Sequence, residues 1–107
     1  MTGYRTVTES LIALHEVPAA RLGEDRAIGL PAHCVTPLLA ESVVREFANE
    51  LGLEPGPITD AFDPRIQGIV DNWPVAVDGA RAIALGLPSP PPLQTIVKQY
   101  LEDFGKR

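Results

Sequence analysis

The sequence predicts a helix-rich α+β domain with four to five helices and a small two-stranded parallel sheet. Three observations lead to this fold class. Apolar residues recur at helical spacing in several segments, threonine or aspartate followed by proline opens two of them, and two short segments between turn-forming residues have the pattern of strands. Because 107 residues is a typical length for one domain, residues 1–107 are predicted to form a single domain.

The first helix is predicted over residues 7–17, where the apolar side chains share one helical face. Thr6 or Thr8 is available as its N-cap, and Pro18 limits its end. Residues 26–30 are apolar at alternate positions and are followed by Pro31, which predicts the first strand.

The second helix is predicted to start at Thr36 and Pro37, a capping hydroxyl followed by a residue preset for the first helical position. Gly52 is placed to end it. A proline-rich turn follows, and residues 58–62 are predicted to form the second strand. Two strands joined by a crossover helix would pair in parallel.

Three further helices are predicted after this turn. Asp63 and Pro64 start one helix, Asp78 caps another over residues 80–85, and the last covers residues 93–104 after a proline-rich linker at residues 88–92. The sequence also predicts a core between the helices, in which truncation of Trp73 would cost about 3–5 kcal/mol. Its expected members are Phe47, Leu51, Ile69, Trp73 and Val97.

Composition excludes several classes of function. The formal net charge is −5 and the nine basic residues are scattered, which argues against nucleic acid as a partner. No apolar stretch is long enough to span a membrane, so no membrane partner is expected. Cys34 is the single cysteine, so no internal disulfide can form, and the composition suits the cytoplasm.

The sequence predicts no catalytic, cofactor-binding or metal-binding residue. A glycine-rich strand-to-helix turn for a dinucleotide is absent, and His15 and His33 lack metal-ligand spacing. Adjacent His33 and Cys34 suggest a thiolate nucleophile, but neighbouring side chains in an extended segment point apart, so a structural thiol is preferred. The aspartates near residue 63 have sufficient roles as caps or surface charges, and Arg65 is interpreted as a surface charge. Those aspartates are Asp60, Asp63 and Asp71.

A set of motifs in the second half of the chain resembles one known group of enzymes. The motifs are Asp63-Pro64-Arg65-Ile66, Trp73-Pro74, Asp78-Gly79-Ala80-Arg81-Ala82, Leu85-Gly86 and the helix over residues 93–104. They resemble the C-terminal substrate-binding lobe of extended short-chain dehydrogenase/epimerases, and most closely the D-erythronate dehydrogenase-like (NAD-dependent epimerase/dehydratase) proteins. The resemblance covers nearly the whole chain.

The resemblance implies an oxidoreductase or sugar-epimerase role in which this chain shapes a pocket for a sugar acid or activated sugar. It implies Arg5 as a substrate-binding residue, although a helix-start arginine held by surface carboxylates is the competing interpretation. NAD or NADP would bind in a complete family enzyme and not in this chain, which lacks the nucleotide-binding fold and the Tyr-x-x-x-Lys pair.

Two partners are therefore expected: a cofactor domain that completes the enzyme, or a second copy in a homodimer formed through the first helix. The alternative functions are a stand-alone binding or assembly module and, third, a cofactor-free enzyme that uses His33, Cys34 or an aspartate.

Overall fold

The computed structural model describes residues 1–105, and within that range the chain forms six α-helices. Five of them lie where helices are predicted, and one additional turn of helix follows Pro18. All six helices in this range are too short or too polar to cross a membrane. The helices are α1 Tyr4–Glu16, α2 Ala19–Leu22, α3 Pro37–Leu51, α4 Pro64–Val70, α5 Ala80–Ala84 and α6 Leu93–Phe104.

The predicted helix starts at Thr36 and Asp63 are confirmed by hydrogen bonds to the capping side chains. Thr36 Oγ1 accepts from the Leu39 amide at 3.2 Å, and Asp63 Oδ1 accepts from the Arg65 amide at 2.8 Å. The N-cap of α5 is Gly79 and not the predicted Asp78, although Asp78 Oδ1 accepts from the Ala80 amide at 2.9 Å. Gly52 ends α3 in the left-handed conformation, at φ 63°, as glycine does at helix ends.

The start of α1 differs from the prediction that Thr6 or Thr8 caps it. The helix begins earlier, at Tyr4, and its N-cap is Gly3, which has no side chain to offer. The Thr8 hydroxyl instead donates to the Tyr4 carbonyl at 3.0 Å, inside the helix. Gly3 packs closely on Ile96 of α6, because a Cβ atom at this position would lie 3.3 Å from the Ile96 side chain.

The predicted two-stranded parallel sheet is wrong, since residues 1–105 contain no strand. Residues 26–30 form no regular structure, and only Ile28 and Leu30 are half-buried; within residues 1–105 no second segment pairs with their backbone as a strand. Their neighbours are the Arg81 guanidinium, which donates to the Ala27 carbonyl, and the backbone of Asp78 near Gly29. Residues 58–62 are exposed throughout, so their apolar pattern reflects uncovered surface.

The predicted core is also wrong in its main members. The apolar side chains that are buried are Val43, Ala48, Ala82 and Leu87, whereas the Trp73 side chain is 66% exposed and Leu51 and Ile69 are exposed as well. Because the Trp73 ring is largely exposed, its truncation is no longer expected to lower the free energy of unfolding by about 3–5 kcal/mol. Helices α3 and α6 do pack against each other.

The chain is elongated for its length. Its radius of gyration is 17.0 Å, whereas a compact domain of this size has a radius of gyration of about 13 Å. We call residues 53–78 the arm. Every side chain of the arm is exposed except Asp63, which is half-buried. The arm contains α4 and connects α3 to α5.

Candidate functional site

Arg5 lies in the first turn of α1, beside the last turn of α6. Its guanidinium makes a bidentate contact with the Asp103 carboxylate, in which Nε donates to Oδ2 at 3.0 Å and Nη2 donates to Oδ1 at 2.7 Å. Its third nitrogen, Nη1, lies 3.2 Å from Glu102 Oε2. This two-pronged geometry is the strong form of an arginine–carboxylate contact, and Nη1 makes the longer of the two ion pairs.

Tyr4 completes this cluster of four residues, Tyr4, Arg5, Glu102 and Asp103. Its hydroxyl donates to Asp103 Oδ2 and also lies 3.1 Å from the Gln99 carbonyl. Loss of hydration and the hydrogen bond to Asp103 raise the pKa of Tyr4, and the hydrogen bonds from Arg5 and then Tyr4 hold the pKa of Asp103 below its usual range. The Asp103 hydrogen bond raises the pKa of Arg5. At neutral pH the Tyr4 hydroxyl therefore stays neutral, the Arg5 guanidinium stays positively charged and the Asp103 carboxylate stays negatively charged.

An apolar groove of about 850 Å³ opens beside this cluster. It lies between the start of α1, one face of α3 and one face of α6, and it is bordered by the first residues of the arm. Its volume falls in the range of ligand pockets, but Glu54 is its single charged lining residue. The lining consists of Met1, Thr2, Gly3, Tyr4, Val44, Phe47, Ala48, Leu53, Glu54, Pro55, Ile96, Val97, Tyr100 and Leu101.

Two polar atoms near the cluster have no hydrogen-bond partner within residues 1–105. Thr2 Oγ1 is buried and belongs to a residue that lines the groove, and Gln99 Oε1 is buried on α6, one turn before Asp103. A buried polar atom without a partner is costly, so a local rearrangement that gave either atom a hydrogen bond would be favourable.

His33 and Cys34, the pair noted in the sequence, both line a second cavity of about 620 Å³. His33 Nε2 lies 2.7 Å from the Pro91 carbonyl and therefore donates to it, since a carbonyl only accepts. Cys34 is exposed and lines the same cavity, together with Trp73 from the end of the arm. The expectation of a buried or half-buried thiol at the end of a strand is therefore wrong, and no hydrogen bond joins Cys34 to a base within residues 1–105.

The remaining candidates are not brought together. Asp63 caps α4 and pairs with Arg65, whose side-chain and backbone hydrogen bonds lower the pKa of the Asp63 carboxyl. Asp71 accepts from Gln67 at 2.6 Å, and Asp60 lies exposed in the arm. Within residues 1–105, no group of three or more histidine, cysteine or acidic side chains is placed to hold a metal ion.

Arg5 has the competing arrangement expected from the sequence, a helix-start arginine held by surface carboxylates, but sequence reasoning did not identify which carboxylates hold it. Glu102 and Asp103 stand 97 and 98 positions away from it in the chain. No local pattern links residues so distant, and an acidic pair near the end of an amphipathic helix is typical of a solvated helix face. The missed contacts follow from the packing of α1 beside α6.

Comparison with known proteins gives two significant relatives. A D-erythronate dehydrogenase from Cupriavidus necator is 30% identical over 101 residues, which cover 94% of this chain and 31% of the relative. A D-erythronate dehydrogenase from Haemophilus influenzae is 31% identical over 97 residues, which cover 91% of this chain and 30% of the relative. No protein-family model and no solved structure matches the chain.

These matches confirm the resemblance that the motifs indicate, and they relate the chain to oxidoreductases. The matched length is almost all of this chain but a minor part of each relative. This chain is similar over nearly its whole length to D-erythronate dehydrogenases, and it spans about three tenths of the length of the curated relatives that it matches.

Proposed function

We propose that residues 1–107 form the substrate-binding lobe of an NAD- or NADP-dependent oxidoreductase, and that this lobe binds an anionic sugar acid of the D-erythronate class. The observation that carries the proposal is the similarity to D-erythronate dehydrogenases across 94% of the chain. The sequence has no glycine-rich phosphate-binding turn, so the cofactor is assigned to a separate cofactor lobe and the chain alone is not catalytic.

The cluster around Arg5 supports a role in holding the substrate carboxylate. The Arg5 side chain is 34% exposed, and Tyr4, its neighbour in sequence, lines the groove. Two of the guanidinium nitrogens are fixed by Asp103, whereas the third is held by Glu102 alone. A substrate carboxylate would replace Glu102 at Nη1, and Asp103 would keep the guanidinium oriented.

The unpartnered Thr2 hydroxyl supports the sugar part of the proposal. The hydroxyl oxygen is buried, and Thr2 itself lines the groove on the segment that leads into Tyr4 and Arg5. A sugar acid carries hydroxyl groups along its carbon chain, and one of these would satisfy Thr2 Oγ1 once the wall of the groove moved to uncover that atom. Hydroxyl recognition would then occur at the Thr2 end of the groove and carboxylate recognition beside it, at Arg5, which does not itself line the groove.

Titration of the chain with D-erythronate, followed by NMR, tests this proposal. Arg5→Ala is expected to abolish the resonance shifts, and Thr2→Val is expected to weaken binding by about fivefold, the loss of one neutral hydrogen bond. Glu102→Gln is expected to strengthen binding by up to about fivefold, because it frees Nη1 from a competing carboxylate.

Two controls separate recognition from general electrostatics. Arg45→Ala removes an exposed arginine that pairs with Glu41 on α3, and it is expected to leave the D-erythronate affinity unchanged. Erythritol, which has the hydroxyls but no carboxylate, is expected to bind more weakly than D-erythronate and to be insensitive to Glu102→Gln. Equal binding to the wild-type chain and the Arg5→Ala variant would contradict the role of Arg5.

The second candidate function is a stand-alone binding or assembly module that keeps the fold of the lobe. The arm and the open groove favour it, because both present apolar surface suited to a protein partner. In this case the chain would bind no sugar acid. A cofactor-free enzyme built on His33 and Cys34 is the weakest alternative, since His33 is engaged with a backbone carbonyl and Cys34 has no base beside it.

A further inference from the structure

Glu102 occupies the Nη1 nitrogen of Arg5, and its attachment there is weak. Its carboxylate accepts one hydrogen bond from Arg5, at 3.2 Å, whereas Asp103 accepts from the Tyr4 hydroxyl and from two nitrogens of Arg5. The Glu102 side chain is also 47% exposed, so water competes for its oxygens. Of the two carboxylates on Arg5, Glu102 is therefore the one that is released more readily.

The place of Glu102 in α6 explains why it depends on nearby cations. It lies in the last turn of this helix, Leu93–Phe104, where the unpaired carbonyl groups give the helix a partial negative charge. A carboxylate at this end gains no support from its own helix. Within residues 1–105, two cationic side chains lie within ion-pair distance of Glu102, and they are Arg5 and Lys98.

Lys98 lies four positions before Glu102, so the two side chains share one face of α6. Lys98 Nζ is 3.9 Å from Glu102 Oε1, while Arg5 Nη1 is 3.2 Å from the other oxygen, Oε2. The longer separation exceeds hydrogen-bond distance but still allows the two charges to attract each other. The Glu102 carboxylate thus lies between two cations, with a hydrogen bond to one of them.

Lys98 has the freedom to close this gap. Its side chain is 65% exposed, and Glu102 is its single ion-pair partner within residues 1–105. A lysine carries a compact ammonium on a flexible four-carbon stem, so it can follow a carboxylate that moves. A Glu102 carboxylate turned away from Arg5 would accept a direct hydrogen bond from Nζ. The carboxylate therefore has a second position in which its charge is compensated.

This second position bears on the binding of a ligand carboxylate at Arg5. Such a ligand requires Glu102 to leave Nη1, because two carboxylates on one nitrogen repel each other. If Glu102 moved into water without a partner, the ligand would gain one ion pair and the chain would lose one. With Lys98 in place, the chain exchanges one ion pair for another, so displacement of Glu102 costs less.

We propose that Glu102 is an internal competitor for the anion site at Arg5, and that Lys98 holds Glu102 when a ligand carboxylate displaces it. Without a ligand, Glu102 binds Nη1 and excludes other anions. With a ligand, Glu102 pairs with Lys98 and the ligand takes its place on Nη1. Lys98 is thus a positioning residue that acts through Glu102. This inference rests on the proposed function and adds a control of access to its binding site.

A double-mutant cycle in ligand affinity tests the proposal. D-erythronate and acetate, which has a carboxylate but no hydroxyl, are titrated at constant ionic strength and followed by NMR. The four chains are the wild type, Lys98→Met, Glu102→Gln and the double variant. In the chain that keeps Glu102, Lys98→Met is expected to weaken binding about twofold, the contribution of one exposed pair at this spacing.

The second half of the cycle isolates the route through Glu102. In the Glu102→Gln background, Lys98→Met is expected to change the affinity by less than about 1.3-fold, because only screened attraction at longer range is lost. The ¹³C resonance of the Glu102 carboxyl, identified by its loss in Glu102→Gln, is expected to shift when a ligand binds. Its shift is expected to differ in Lys98→Met, which a purely structural role of Lys98 would not produce.

Two control variants accompany the cycle. Lys98→Arg keeps a cation that can pair with Glu102, and it is expected to bind both ligands as the wild-type chain does. Arg45→Met removes an exposed cation from the pair with Glu41 on α3, which has the same spacing of four residues. This variant is expected to leave both affinities unchanged.

The two ligands separate failure of this inference from failure of the proposed function. If a ligand binds and Lys98→Met has the same effect with and without Glu102, the role of Lys98 is overturned. If acetate shows the coupling but D-erythronate binds no more tightly than acetate, the exchange at Arg5 is supported and the sugar-acid part of the proposed function is contradicted. If neither carboxylate binds at high millimolar concentration, both proposals are overturned.

Discussion

Replacement of Gly79 by alanine is expected to destabilise the chain by about 1–3 kcal/mol, the usual cost of forcing extra atoms into a filled space. A Cβ atom at Gly79 would lie 2.7 Å from Pro31 Cα and 2.8 Å from Pro31 N. Both are backbone atoms, so no side-chain rotation relieves the overlap. The backbone of Gly79, at φ −95°, suits any residue, which makes space the sole reason for the penalty.

Urea denaturation, followed by circular dichroism, measures this loss. Gly68→Ala is the matched control, because a Cβ atom at Gly68 meets nothing within 4 Å and the residue lies inside α4. Its substitution is expected to leave the free energy of unfolding unchanged or to raise it by up to about 1 kcal/mol. If Gly79→Ala also unfolds at the wild-type urea concentration, α5 does not pack on the Pro31 backbone.

Replacement of Arg81 by alanine is expected to destabilise the chain by about 2 kcal/mol. The guanidinium donates to the carbonyls of Leu22 and Asp25, at 2.6 Å each, and to that of Ala27 at 3.2 Å. It also pairs with the Asp25 carboxylate at 3.2 Å. Hydrogen bonds from a charged donor contribute about 1.5–3 kcal/mol when buried, and the sum is reduced here because the side chain is partly exposed.

Hydrogen exchange locates the effect of this substitution. The amides of residues 22–27 are expected to exchange faster in Arg81→Ala, because the guanidinium is the group that connects this segment to α5. Arg81→Lys is expected to recover part of the loss, since the three donors of an ammonium share one nitrogen and cannot reach all the acceptors that Nη1 and Nη2 of the guanidinium bind separately. Arg45→Ala removes an exposed ion pair and is expected to cost no more than about 0.5 kcal/mol. Equal losses for Arg81→Ala and Arg45→Ala would contradict this account.

The helix starts could be predicted because their causes are local. Thr36 with Pro37 and Asp63 with Pro64 each combine a capping oxygen with a residue preset for the first helical turn, and both form the expected caps. The start of α1 was predicted too late, because its N-cap, Gly3, is positioned by contact with Ile96 and not by a capping side chain.

The sheet and the core could not be predicted because they depend on long-range contacts. Residues 27–30 do alternate in burial, yet a strand also needs a neighbouring strand, and the hydrogen bonds of Ala27 go instead to the Asp25 and Arg81 side chains. Trp73 lies in a pattern typical of a buried helix face, but the helix ends at Val70 and the ring projects from the arm. Apolar periodicity predicts which residues share a face and not whether anything covers it.

For the candidate site, the resemblance directed attention to Arg5, and the structure adds the residues around it. The bidentate contact with Asp103 fixes the orientation of the guanidinium. In the proposed role, a ligand would displace the Glu102 carboxylate from Nη1. The unpartnered Thr2 hydroxyl has no sequence signal, because a threonine before a helix is usually interpreted as a capping residue.

The most direct test of the proposed substrate lobe is a chimera with the Cupriavidus necator D-erythronate dehydrogenase. The 101 matched residues of that enzyme are replaced by those of this chain, and D-erythronate-dependent reduction of NAD is measured, with NAD binding as the check on folding. We expect activity above that of the enzyme truncated before the match, and its loss in Arg5→Ala. A chimera that binds NAD but oxidises no D-erythronate would contradict the account.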